Sequence, residues 1–197
     1  IFKIMNLFVE IVGAVSGVLF VYLEIFQNRW MWIVGGVSAL IYMYIFFVES
    51  LLAVALVQLY FLFASIYGWV LWSKDFSQNH SKNDKDLKII RMSNKMAIVS
   101  IFISVIVFVL LWVVLKYWSS DPFPALDSLI ATISMLATYW VAKRFIYHWF
   151  LWIICNMLSI VLYLSQALYP TVLLYFIYLI ASIIGYIHWR KFREVLN

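Results

Sequence analysis

Seven uninterrupted apolar runs, each close to the length needed to cross a bilayer, leave this 197-residue chain few folds to choose from. A crossing helix takes about 20 residues, and the runs 5–26, 30–48, 51–72, 96–118, 125–142, 146–164 and 169–189 meet or approach that requirement. Membrane strands need only about 10 residues of alternating pattern. These runs are longer and do not alternate, so helices that satisfy their own backbone hydrogen bonds are expected. Composition excludes a soluble fold, because 66% of the residues are apolar and 12% charged, about half the charged fraction of a globular domain. Turn chemistry or charge marks the breaks: Gln27-Asn28-Arg29, Glu49-Ser50, Asp121-Pro122-Phe123-Pro124, Lys143-Arg144, and Gln166 to Pro170. The first run is longer than a usual signal-peptide core and carries Glu10 and Glu24, so it is expected to be a mature helix.

Seven crossings put the two ends of the chain on opposite sides. Twelve of the 14 Lys and Arg then fall on one side, leaving Lys3 and Lys116 on the other. The positive-inside rule places the N-terminus outside and the C-terminus in the cytoplasm. The stretch 74–95 mixes charges of both signs and reads as a solvated cytoplasmic linker, with no need of a nucleic-acid partner.

The organisation within the membrane is set by a repeat at an offset of 117 residues. Ala64-Ser65-Ile66-Tyr67-Gly68-Trp69-Val70-Leu71-Trp72-Ser73-Lys74 returns as Ala181-Ser182-Ile183-Ile184-Gly185-Tyr186-Ile187-His188-Trp189-Arg190-Lys191. At the same offset Glu10 meets Asp127 and Ala14 meets Ala131. The second and sixth helices align through Trp32 with Trp152, Ser38 with Ser159 and Tyr42 with Tyr163, which requires a gap. An intervening fourth helix restores the starting side, so the two copies are parallel. The expected fold is an all-α integral membrane protein of seven transmembrane helices in a 3+1+3 parallel-repeat, SWEET-like arrangement. Its parts are a first repeat over 1–73, a linker over 74–95, a linking helix within 96–120 and a second repeat over 121–197. Two similar halves facing each other suit a carrier, with a pathway between them.

Polar groups inside a bilayer are costly when unpaired, so those near the middle of spans are informative. Trp149, Trp152, Asn156, Ser159 and Tyr163 fall within an arc of about 80° on the sixth helix. On the third, Gln58, Ser65, Trp69 and Trp72 fall within about 60°. Such faces suit a flat, nitrogen-bearing solute, which stacks on indole while the amides donate and accept hydrogen bonds; a cationic solute gains cation–π attraction as well. Other readings compete. Trp69, Trp72 and Trp189 lie where an interfacial aromatic belt forms, and Asn156 and Gln58 suit interhelical bonding. Gly13, Gly17, Gly35 and Gly36 read as packing contacts. His148 and His188 adjoin basic residues and read as interfacial, and His80 belongs to the linker. Cys155 is the single cysteine, and no metal-ligand or nucleophile constellation is present, so neither a cofactor nor enzymatic activity is expected. With no buried charge pair in view, uniport is expected, and ion coupling through Glu10 or Asp127 is the alternative.

Tyr67-Gly68-Trp69-Val70-Leu71-Trp72, Ala142-Lys143-Arg144, the run Trp149 to Asn156 and Gly185-Tyr186-Ile187-His188-Trp189 together resemble the Pnu-type vitamin transporters, most closely the PnuC nicotinamide riboside transporters. The W-x-x-W-x-x-x-N pattern of the sixth helix is the most specific part. The resemblance implies uptake of nicotinamide riboside by facilitated diffusion, with inward flux maintained by phosphorylation of the substrate. It also implies a homotrimer among membrane lipids in a bacterial inner membrane. By the same resemblance Trp149, Trp152 and Asn156 match the recognition motif, and Gln58 with Tyr60 the polar positions of the third helix. Thiamine, carried by close relatives, is the alternative substrate.

Overall fold

The computed structural model describes residues 2–48, 52–79, 89–90, 92–119 and 121–192, with side chains described over 12–48, 54–74, 89–90, 92–119 and 121–191. The described residues form seven helices: α1 (Phe2–Ile25), α2 (Trp30–Val48), α3 (Leu52–Asn79), α4 (Asn94–Trp118), α5 (Pro124–Ala142), α6 (His148–Ser165) and α7 (Tyr169–Phe192). Six of them, α2 to α7, are long and apolar enough to cross a membrane, and the searched part of α1, Val12–Ile25, is apolar as well. The third helix continues seven residues past its expected end at 72. Most of the rest of the charged linker, with His80, lies outside the described residues, as does the side chain of Glu10.

Three helix ends share one device. The residue after the last turn takes a left-handed conformation, at Gln27 (φ 52°), Arg144 (φ 58°) and Ala167 (φ 54°). The amide one residue further on reaches back five positions: Asn28 N to Leu23 O at 2.8 Å, Phe145 N to Trp140 O at 2.9 Å, Leu168 N to Tyr163 O at 3.0 Å. These are Schellman caps, which satisfy carbonyls that a helix end leaves open. Pro124 opens α5 at a position whose N–H would have no partner within the helix.

Six helices form a closed ring in the order α1, α2, α3, α5, α6, α7 and back to α1. The ring's contacts are unchanged when α1, α2 and α3 are exchanged with α5, α6 and α7. Outside it, α4 lies against α5 and only lightly against α3, with Ile98, Phe102, Val105 and Leu110 exposed. Arg29, Lys74, Lys95, Lys143, Arg144, Arg190 and Lys191 lie at one end of the bundle, the basic end, where α1, α3, α5 and α7 finish and α2, α4 and α6 begin. Lys116, Asp121 and Asp127 lie at the other.

Just inside the basic end, Trp32, Trp72, Trp149 and Trp189 are at most 1% exposed and fill the ring. Trp32 meets Trp72 edge to face at 5.6 Å, Trp149 meets Trp189 the same way at 5.8 Å, and Trp72 joins Trp189 at 6.4 Å. Edge-to-face pairs each add about 0.5–1.5 kcal/mol beyond area burial. Trp72 and Trp189 are therefore interior residues, contrary to the belt expectation; an indole in a belt faces headgroups and lipid. The cluster also removes the gap in the sequence alignment. The indole of Trp32 covers Gly68 and that of Trp149 covers Gly185, so the mate of Trp32 is Trp149, at the same offset of 117 as the glycines.

Candidate functional site

Above the tryptophans the ring encloses a cavity of about 300 Å³ walled by all six helices, at the lower end of the range for small-molecule sites. Much of its wall is built in pairs. The lining residues of the second half are Ile130, Ser134, Thr138, Trp152, Cys155, Asn156, Tyr175, Tyr178 and Ser182. The residues 117 positions earlier line the same cavity: Gly13, Gly17, Val21, Gly35, Ser38, Ala39, Gln58, Phe61 and Ser65. Side chains differ across most pairs, and that makes the pocket lopsided. Trp152 stands opposite Gly35, Asn156 opposite Ala39, and Tyr175 opposite Gln58. Gly13, Gly17 and Gly35, expected as packing contacts, line the cavity; a Cβ on Gly13 or Gly17 would meet the hydroxyls of Tyr42 or Tyr178.

Three of the expected site residues reach the wall. Trp152 presents its indole, with Nε1 donating to Glu24 Oε1 at 3.0 Å. Asn156, 5% exposed, donates from Nδ2 to Ser182 Oγ at 3.1 Å, and Ser182 Oγ passes a bond to Tyr178 O at 2.8 Å. Gln58 lines the cavity and makes no hydrogen bond among the described residues. An amide with both its donors and its acceptor unused is the group a polar ligand would engage.

The other five lie off this wall. Trp149 lies about 60° from Trp152 around α6 but sits nearly a turn nearer the basic end, fully buried against His148 and Trp189. Trp69 packs on Trp30 at 5.5 Å with the Arg29 guanidinium 5.3 Å from its ring, at the basic rim. Tyr60 donates to Met135 O at 2.8 Å and lines a second cavity, between α3, α4 and α5. Ser159 is fully buried. Tyr163 stacks at 5.2 Å on Tyr175, which itself lines the cavity. Asp127 is not a lining residue; its carboxyl neighbours that of Asp121 at the end opposite the basic one.

Sequence reasoning missed the charge. Glu24 is 1% exposed and lines the cavity, and His148 is 0% exposed, so the interfacial reading of His148 and the uncharged pocket are both corrected. His148 Nδ1 lies 2.6 Å from Phe145 O, which only accepts, so Nδ1 carries a hydrogen. Its Nε2 is 3.2 Å from Glu24 Oε1, close enough for an ion pair though without the alignment of a hydrogen bond. That contact is attractive only with a proton between the two groups. Glu24 and His148 are 124 positions apart, and both ends of the pair lie beside basic residues or turns in sequence. The one available signal was the cost of leaving Glu24 unpaired at the end of an apolar run.

Comparison with known proteins follows the same lines. Residues 7–191 match the model of the family described as nicotinamide mononucleotide transporter. The nicotinamide riboside transporter PnuC of Escherichia coli is 27% identical over 201 residues, covering 92% of this chain and 84% of that protein. PnuC of Neisseria mucosa is 25% identical over 130 residues, covering 63% and 49%. In three dimensions the chain superposes on the crystal structure of the vitamin B3 transporter PnuC with a TM-score of 0.75, at 22% identity, over 96% of this chain and 83% of that one.

Proposed function

The chain belongs to the nicotinamide mononucleotide transporter family, a family of multi-pass membrane carriers, and on that footing we propose that it moves nicotinamide riboside through the central cavity. The family's description and the names of its relatives differ by a phosphate, and the cavity chemistry favours the form without it. Among the described lining residues the only formal charge is the carboxylate of Glu24, and no Lys or Arg is present. A phosphate carries close to two negative charges at neutral pH and is bound by cationic groups or helix N-termini. The riboside instead offers a flat ring for Trp152, with hydroxyls and a carboxamide for Gln58 and Asn156.

The parallel 3+1+3 reading is supported by the exchange symmetry of the ring and by the pairing of every second-half lining residue with one 117 positions earlier. The positive-inside rule puts the basic end in the cytoplasm and the N-terminus outside, so the tryptophan cluster is the cytoplasmic plug. Facilitated diffusion is kept in the proposal because Glu24, paired with His148, leaves the empty carrier no uncompensated charge in its wall. The bacterial inner membrane and the homotrimer rest on the family resemblance.

Purified protein in liposomes should exchange labelled nicotinamide riboside without an ion gradient and should bind the mononucleotide at least about tenfold more weakly, about 1.4 kcal/mol. Equal or tighter binding of the mononucleotide would overturn the riboside assignment. Tighter binding of thiamine than of either would move the protein to the alternative substrate.

A further inference from the structure

The Glu24–His148 pair has no counterpart in the other half. Positions 117 away from its members are Val141 and Met31, both buried and apolar. The carboxylate thus stands on one side of the cavity only, and it stands beside the Trp152 indole, whose equivalent position in the other half is held by Gly35.

Its two oxygens are used differently. Oε1 accepts from Trp152 Nε1 and faces His148 Nε2, whereas Oε2 has no protein partner among the described residues and is not a sealed atom. With the imidazole behind it, the pair is a dipole whose negative end faces the cavity. Five of the other charged and titratable groups near this end have described surroundings away from Glu24. The Arg29 guanidinium lies over Trp69, the Lys143 ammonium over Tyr67, and the His188 ring against Phe26, while Arg190 and Lys191 are exposed.

Resting on the nicotinamide riboside reading, we propose that Glu24 selects substrate by charge: a cationic aromatic ring stacks on the Trp152 indole with its positive charge beside Glu24 Oε2. An N-glycosylated pyridinium carries that charge in its ring. The dihydropyridine obtained by reducing it has the same ribose and carboxamide and none of the charge. An ion in a low-dielectric site interacts far more strongly than in water, so discrimination between the two forms falls on this carboxylate.

Calorimetric titration of the purified full-length protein with nicotinamide riboside and with its reduced, neutral form tests this. The wild type should bind the cation at least about tenfold more tightly, a difference of about 1.4 kcal/mol. Glu24→Gln, which keeps an oxygen for Trp152 Nε1, should cost the cation about that factor and leave the neutral form within about twofold. Equal wild-type affinities overturn the proposal even if the variant fails to fold. Equal losses for both ligands in Glu24→Gln also overturn it, since they would mark a contact to the ribose hydroxyls. Tight wild-type binding of the neutral form with none of the cation does the same while leaving the cavity assignment standing. A wild type that binds neither ligand removes the riboside reading itself.

Discussion

Trp72 and Trp189 make the same bond to opposite halves of the ring. Each Nε1 donates 3.2 Å to the carbonyl of the last residue of a helix, Trp72 to Ala142 at the end of α5 and Trp189 to Ile25 at the end of α1. Trp189 also reaches Glu24 O at 3.1 Å. The helix ends need such donors because their last carbonyls lack partners within the helix, and buried indole N–H groups need acceptors. The plug and the helix termini therefore stabilise each other, and each half of the chain closes the other.

The glycines beneath the plug should not tolerate a methyl group. A Cβ on Gly185 falls within the Trp149 indole and one on Gly68 within the Trp32 indole, and both rings are buried. Overpacking of this kind costs about 1–3 kcal/mol. Gly185→Ala and Gly68→Ala should both lower the thermal midpoint followed by tryptophan emission in detergent. An unchanged midpoint in either would mean that the indoles are not packed on these glycines.

Glu24 and His148 should be coupled in stability. Removing one member of a buried charge pair typically costs about 3–5 kcal/mol, because the other charge is left uncompensated. His148→Ala should be severely destabilised. The double variant Glu24→Gln with His148→Gln should lose less than the two single glutamine variants together. A double-mutant cycle read by unfolding measures this, and strict additivity would refute the pairing.

Trp149 and Trp152 should separate binding from stability. Trp152→Phe removes the donor to Glu24 and part of the stacking surface, so affinity for nicotinamide riboside should fall several-fold with little loss of stability. Trp149→Phe, off the wall and in the plug, should lower stability while affinity stays within about twofold; a cavity left by a smaller ring costs about 24 cal/mol per Å³. Calorimetric affinity and thermal midpoint, measured on both variants, decide between this placement and one in which both indoles touch substrate.

Ala167→Gly should stabilise the protein. Ala167 is exposed and holds φ at 54°, a conformation that costs a residue with a Cβ about 1–2 kcal/mol. Glycine adopts it freely but loses more backbone freedom on folding, about 0.5–1 kcal/mol. The net gain should be up to about 1 kcal/mol, seen as a raised thermal midpoint. A lowered midpoint would argue against the Schellman cap at the end of α6.

Seven helices, their order and most of their boundaries were legible in sequence, because length and apolarity alone decide what hydrocarbon accepts. The repeat was legible where identity survived, in Gly68 and Gly185 or Trp72 and Trp189. It was misaligned in α2 and α6, where shared tryptophans at offset 120 outweighed the pair at 117. Periodicity put Trp149, Trp152 and Asn156 on one face of α6, where Trp152 and Asn156 line the cavity and Trp149 does not. Depth along that face was not legible, since azimuth repeats every turn while the cavity floor occurs once.

What the sequence determined by itself was the solvent, the all-helical class and the order of the helices, all consequences of local apolarity and of run length along a chain. What only the tertiary structure decided was the charge on the wall. Glu24 and His148 looked like isolated boundary residues, and their meeting across the ring depends on α1 and α6 being packed to within 3.2 Å at those two side chains. Electrostatic partnership in a low-dielectric interior is set by distance through space, and separation along a chain carries no record of it.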